Sequence, residues 1–131
     1  MKRREAREKA LQALFQIELN EMSLDQAIKN IMEDEQDDYM EKLVEGVMAN
    51  KAEIDAIIEP NLDNWRMDRL SKVDLSLLRL SVYEIKYLDD VPNRVSLNES
   101  IEIAKIYSDE KSSKFINGVL ANKKKIAPED K

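Results

Sequence analysis

A chain of 131 residues with 43% hydrophobic and 37% charged side chains, but only two glycines and three prolines, suits one helical domain, because long helices need few turn residues and the apolar content is too high for a disordered chain. Cysteine and histidine are both absent, which excludes disulfides, thiolate nucleophiles, imidazole bases and the usual zinc ligands. A formal net charge of -6 opposes indiscriminate coating of nucleic acid, so any phosphate contact requires a local basic cluster.

The opening, MKRREAREKA, is such a cluster, with Lys2, Arg3, Arg4, Arg7 and Lys9 close together. From Arg4 to about Leu19 the apolar residues Ala6, Ala10, Leu14 and Ile17, with Leu11 and Ala13 beside them, predict a first helix that carries Arg3, Arg4 and Arg7 on another face. Ser23 to Gln26 reads as a capping box before a short second helix containing Ala27, Ile28 and Ile31. The acidic run EDEQDDYMEK leads into a third helix, where Met40, Leu43, Val44, Val47 and Met48 fall at helical spacing and Gly46 weakens the pattern. Asn50 and Glu53 suggest a cap for a fourth, with Ile54, Ile57 and Ile58, which Pro60 ends.

The segment LDNWRMDRL reads as an irregular or single-turn piece with Trp65 packed onto the core. Ser71 and Asp74 cap the next helix, apolar around most of its circumference through Val73, Leu75, Leu77, Leu78, Leu80, Val82 and Ile85, and therefore central. Asp74, Arg79 and Glu84 are charges on that element, and they must either pair internally or face a partner. Ser96 to Glu99 reads as another capping box, opening a helix with Ile101, Ile103, Ala104 and Ile106 that ends near Tyr107. A last helix is predicted from Ser112 or Ser113, burying Ile116, Val119 and Leu120, with Gly118 admitting a close backbone neighbour. Lys123, Lys124 and Lys125 form a second basic run. The total is six or seven helices in a single domain over residues 1–131, with no internal repeat. No apolar stretch approaches the roughly 20 residues a spanning helix needs, and the opening lacks a secretory apolar core. A soluble, cytoplasmic protein without membrane contact is expected.

The basic opening is open to two readings, a solvated helix face or a phosphate-binding one. Gln12 and Phe15 further along the helix add an amide and an aromatic ring, the combination used for single-stranded RNA. Phe15 taken alone reads as core ahead of an RNA contact. Phe115 follows Lys111 and Lys114 at a helix start, where amides and the dipole favour anions, and it too can be core or a stacking platform. Carboxylate pairs such as Glu99 with Glu102 or Asp89 with Asp90 are explained by capping and solvation, and two distant glycines cannot build a phosphate-cradling loop. No active site, metal or cofactor is expected.

Four segments carry a resemblance: R-R-E-A-R-E-K-A-L-Q-A-L-F at the start, V-D-L-S-L-L-R-L-S-V-Y-E in the middle, V-P-N-R-V-S-L-N-E-S-I-E-I-A-K after it and K-F-I-N-G-V-L near the end. In collinear order over nearly the whole chain, they resemble the NusB family of bacterial transcription antitermination factors. The resemblance implies an all-α fold of two small helical bundles packed together. It also implies binding of boxA single-stranded RNA as a heterodimer with NusE, a small-subunit ribosomal protein. That pair would join the RNA polymerase elongation complex with other Nus factors and promote transcription of ribosomal RNA operons.

Carried over by position, Lys2, Arg3, Arg4 and Arg7 would bind RNA phosphates with Gln12 and Phe15 nearby, and Lys111, Lys114 and Phe115 would border the same surface. Asp74, and with it Arg79 and Glu84, would belong to the NusE-facing side. Phe15 stands where some relatives have tyrosine, and Lys111 where an acid can occur. Two alternatives come with this reading. One is a helical protein-protein adaptor whose basic tip meets acidic proteins. The other is a free-standing relative of the helical domain that begins some RNA cytosine methyltransferases, although 131 residues leave no room for an S-adenosylmethionine domain and catalysis is not expected.

Overall fold

The computed structural model describes residues 1–63, 65–121 and 126, so the Lys123 to Lys125 run lies outside the described residues. Among these there are seven α-helices and no strand: α1 Arg3–Asn20, α2 Leu24–Met32, α3 Asp38–Ala49, α4 Lys51–Ile58, α5 Lys72–Tyr87, α6 Asn93–Tyr107 and α7 Glu110–Leu120, with 3-10 turns at Glu59–Asn61 and Met67–Arg69. The fold is all-α. Helix α1 packs on α2 and α3, α5 packs on α4, α6 and α7, and contacts of α1 and α3 with α5 join the two groups. Two small bundles share α5 as their seam.

The central position of α5 follows from its composition, since every residue from Leu75 to Ile85 is buried. Leu77 and Leu78 meet a core that includes Leu11, Leu43, Ile54, Ile103 and Ile116, each such side chain contributing about 1.5–3 kcal/mol through removal from water. Helix starts are closed where the chain offers short oxygens. Ser23 accepts from the Gln26 amide at 3.2 Å, Asp37 from Met40 at 2.9 Å, Ser71 from Asp74 at 3.0 Å and Asp109 from Ser112 at 2.7 Å, each satisfying one amide that the helix leaves without a partner.

Several sequence expectations are corrected. Helix α6 begins at Asn93, where Pro92 sets the entry backbone, and its supposed capping residues have tertiary roles: the Ser96 hydroxyl donates to Glu84 and Glu99 receives Arg4. Helix α7 begins at Glu110 because Asp109 caps it, which places Ser112 and Ser113 inside the helix and buried. Asn50 donates back to the Gly46 carbonyl at 2.8 Å, closing α3 rather than capping α4. Trp65, expected to pack onto the core, is 54% exposed, and Ile106 of α6 is 59% exposed. The glycines exchange roles. A Cβ on Gly46 would stand 2.0 Å from the Tyr83 ring, whereas one on Gly118 would meet nothing within 4 Å, so Gly46 is the position of close approach.

Candidate nucleic-acid interface

The basic opening divides into exposed and engaged cations. Lys2 and Arg3 are exposed, and the Arg3 guanidinium lies 3.7 Å over the Tyr39 ring at the start of α3. Arg4 grips Glu99 of α6 with two hydrogen bonds of 2.6 and 2.7 Å. That pairing raises the Arg4 pKa and holds the Glu99 carboxyl below its usual range. Arg7, 5% exposed, donates to Glu84 at 2.8 Å and to Glu99 at 3.4 Å. This corrects its expected place on the solvent face. Arg7 precedes Ala10, Leu11 and Leu14 by three, four and seven residues, so it continues the apolar stripe and is buried with it.

The charges of α5 pair internally, contrary to the partner-facing expectation for two of them. Glu84, 2% exposed, accepts from Arg7, from the Tyr39 hydroxyl and from the Ser96 hydroxyl at 2.8 Å. Burial and the neighbouring Glu84 carboxylate push the Tyr39 hydroxyl well above its ordinary pKa. Arg79, 7% exposed, donates to Asp55 at 2.8 and 2.9 Å and to Glu18 at 3.0 Å. Only Asp74 of the three reaches a surface groove, where its carboxylate accepts from the Ser112 hydroxyl.

Helices α1 and α6 run side by side in the same direction, because Arg4 meets Glu99 and, eight residues on, Gln12 meets Tyr107. The Gln12 amide donates to the Tyr107 hydroxyl at 2.8 Å, which donates to Glu8 at 3.0 Å. Phe15 is half-buried and lines a groove of about 420 Å³ with Gln12, Val73 and Tyr107. A second groove, of about 230 Å³, is lined by Trp65, Arg69, Asp74, Ser108, Lys111 and Phe115. Val73 and Tyr107 line the first, and their chain neighbours Asp74 and Ser108 line the second, so the two grooves abut. Lys111 and Lys114 are exposed on α7, and the half-buried Phe115 ring meets Trp65 edge-on at 5.7 Å.

Gln12 and Phe15 line one groove and Asp74, Lys111 and Phe115 the other, Arg4 is tied to the start of α6 and Arg3 to that of α3, and Arg7, Arg79 and Glu84 are withdrawn beneath the surface. Sequence reasoning missed Tyr39, Glu99, Tyr107 and Trp65 as partners of these residues. Tyr39 was hidden in an acidic run, and Glu99 carried a capping signal that outweighed any other. The α1 opening and the second groove set exposed cations beside aromatic faces, chemistry that suits sugar-phosphate and base together. Among the described residues no group of three or more acidic side chains is placed to hold a metal ion, and no helix is long and apolar enough to cross a membrane.

Comparison with known proteins points the same way. A transcription antitermination protein NusB from Listeria monocytogenes serotype 4b (strain F2365) is 98% identical over 131 residues, covering 100% of both chains. The structure of T. maritima NusB superposes with a TM-score of 0.86 at 36% identity, covering 98% of this chain and 94% of that one. One chain in a crystal structure of antitermination factors NusB and NusE in complex with dsRNA matches with a TM-score of 0.83 at 33% identity, covering 91% of this chain and 92% of its own. The profile of the NusB family spans residues 4–125, and with fold and sequence in agreement over that length, the chain belongs to the NusB family.

Proposed function

We propose that this protein is a cytoplasmic, non-catalytic transcription antitermination factor, a single NusB-like domain that binds boxA-containing single-stranded RNA together with NusE. The pair then joins the RNA polymerase elongation complex with other Nus factors and promotes transcription of ribosomal RNA operons. The observation that carries NusE and RNA as partners is the solved assembly of NusB and NusE with dsRNA, in which a chain resembles this one, and the Phe15 and Phe115 grooves, with their aromatic linings, support a single strand. Lys2, Arg3, Lys111 and Lys114 contact phosphates, Phe15 and Phe115 stack bases, and Gln12 contributes its side-chain carbonyl. Arg4 stands at the edge of the track, its guanidinium held by Glu99. Asp74 faces NusE.

With four phosphates neutralised, a slope near -0.7 per contact weakens binding roughly fifty-fold between 50 and 200 mM salt. The test is fluorescence anisotropy with a boxA strand and a scrambled strand, each with and without NusE. The double variant Arg3→Glu with Lys114→Glu is expected to lose at least tenfold in boxA affinity at unchanged helicity and a flatter salt slope. Unchanged affinity rejects the assignment of these cations, and NusE capture with no RNA contact at all turns the reading towards a protein adaptor.

A further inference from the structure

We propose that Trp65 is a base-stacking residue, and that the RNA track continues past Phe115 over the indole into a further hollow floored by Gly118. This rests on the RNA-binding reading above and deepens it, giving Trp65, which that reading leaves without a role, a direct contact with a base. Trp65 is a large aromatic side chain left 54% exposed, and its ring stands edge-on to Phe115 with centroids 5.7 Å apart and planes at 65°. Phe115 thereby braces the indole while leaving it open to a planar ligand.

The two rings form a ridge between hollows. On one side lies the groove containing Arg69, Asp74 and Lys111, and on the other a hollow lined by Asn61, Leu62, Asp63, Gly118 and Val119, with Trp65 and Phe115 lining both. Gly118 lines the second hollow, and a Cβ there would meet nothing within 4 Å. Lys111, Lys114, Phe115 and Gly118 fall at i, i+3, i+4 and i+7 of α7, so a single helix face presents two cations, a ring and a gap.

The arrangement of the charged groups, two acids with donors of their own and two cations without an ion pair, points to the ligand. The Asp74 carboxylate accepts from the Ser112 hydroxyl, Asp109 from the Ser112 amide, and Asp68 pairs with Arg66 at 2.7 Å. Arg69, Lys111 and Lys114 make no ion pair among the described residues. Arg69 and Lys111, cations without an ion-pair partner on one side of an open aromatic face, fit a single strand of RNA, with phosphates towards these two side chains and a base on the indole. Asp63 on the far rim suits the amino edge of a base.

Trp65 is the sole tryptophan of the chain, so intrinsic fluorescence reports on this position alone. The experiment titrates the full-length protein, with and without NusE, with a boxA-containing single strand, following tryptophan emission and the anisotropy of labelled RNA in parallel. Expected are quenching with the same midpoint as the anisotropy, about tenfold weaker RNA binding by Trp65→Ala, and substantial recovery in Trp65→Phe. Emission that stays unchanged while RNA binds overturns the proposal and leaves the RNA-binding reading standing. So does a Trp65→Ala variant with undiminished affinity. Emission changed by NusE alone, with NusE capture rather than RNA binding lost in Trp65→Ala, overturns it in favour of a protein-docking surface. Absence of RNA binding by the unaltered protein with NusE overturns both readings together. The wild-type quenching measurement decides the matter even if Trp65→Ala fails to fold.

Discussion

Arg3 and Arg7 lie one helical turn apart and have opposite roles. The Arg3 guanidinium rests over Tyr39 at the surface, where a cation–π contact contributes about 0.5–1 kcal/mol, so Arg3→Ala is expected to cost less than about 1 kcal/mol of stability while weakening RNA binding. Arg7→Ala would remove the Arg7 guanidinium from the buried Glu84 carboxylate, and loss of one member of a buried pair costs about 3–5 kcal/mol. Urea unfolding of the two variants checks this: the Arg7 variant shows the large shift in midpoint, and equal stability of the two contradicts the buried pairing. The sequence separates these arginines poorly. Both are charged residues among charged neighbours, and only the spacing of Arg7 to Ala10, Leu11 and Leu14 marks it as part of the stripe. Phe15 and Phe115 were legible as candidates because aromatics are few. Tyr39 and Glu99 were not, since their roles depend on helices brought together from distant parts of the chain.

At the scale of the element, the two glycines make a matched pair of tests. Gly46→Ala drives a methyl into the Tyr83 ring, which is buried and stacked on Tyr87. Overpacking of this kind costs about 1–3 kcal/mol, more than the gain of about 1 kcal/mol in helix propensity. Gly118→Ala meets open space within α7 and is expected to add about 0.5–1 kcal/mol. Thermal melts with shifts of opposite sign are the expected result. Helix number and order were readable because apolar spacing and Ser23 and Ser71 caps act within one turn of their own sequence. The start of α6 was not, because Ser96 and Glu99 fit a cap locally while their hydrogen bonds reach Glu84, Arg4 and Arg7 on other helices.

For the whole molecule, ion pairs tie elements together and set an acid limit. The Glu99 carboxyl is lowered chiefly by its hydrogen bond from Arg4, and Glu18 is lowered because Arg79, Lys51 and Lys72 together outweigh the upward push of burial. A depressed folded value means stability that is fully present above the ordinary value of 4.5 and is lost as pH falls through the folded value. Urea midpoints measured from neutral pH downward are therefore expected to fall below about pH 4.5, and Glu99→Gln is expected to flatten that fall. A variant as steep as the wild type would remove Glu99 from the account. The placement of Glu84 has a consequence for dissecting this protein. Its carboxylate sits on α5 with the Ser96 donor nearby on α6, but Arg7 and Tyr39 reach it from α1 and α3, so severing the polypeptide between α3 and α4 parts the buried Arg7–Glu84 pair. The separated peptides are expected to stay unstructured alone and to regain helical circular dichroism only when mixed, each serving as the other's chaperone.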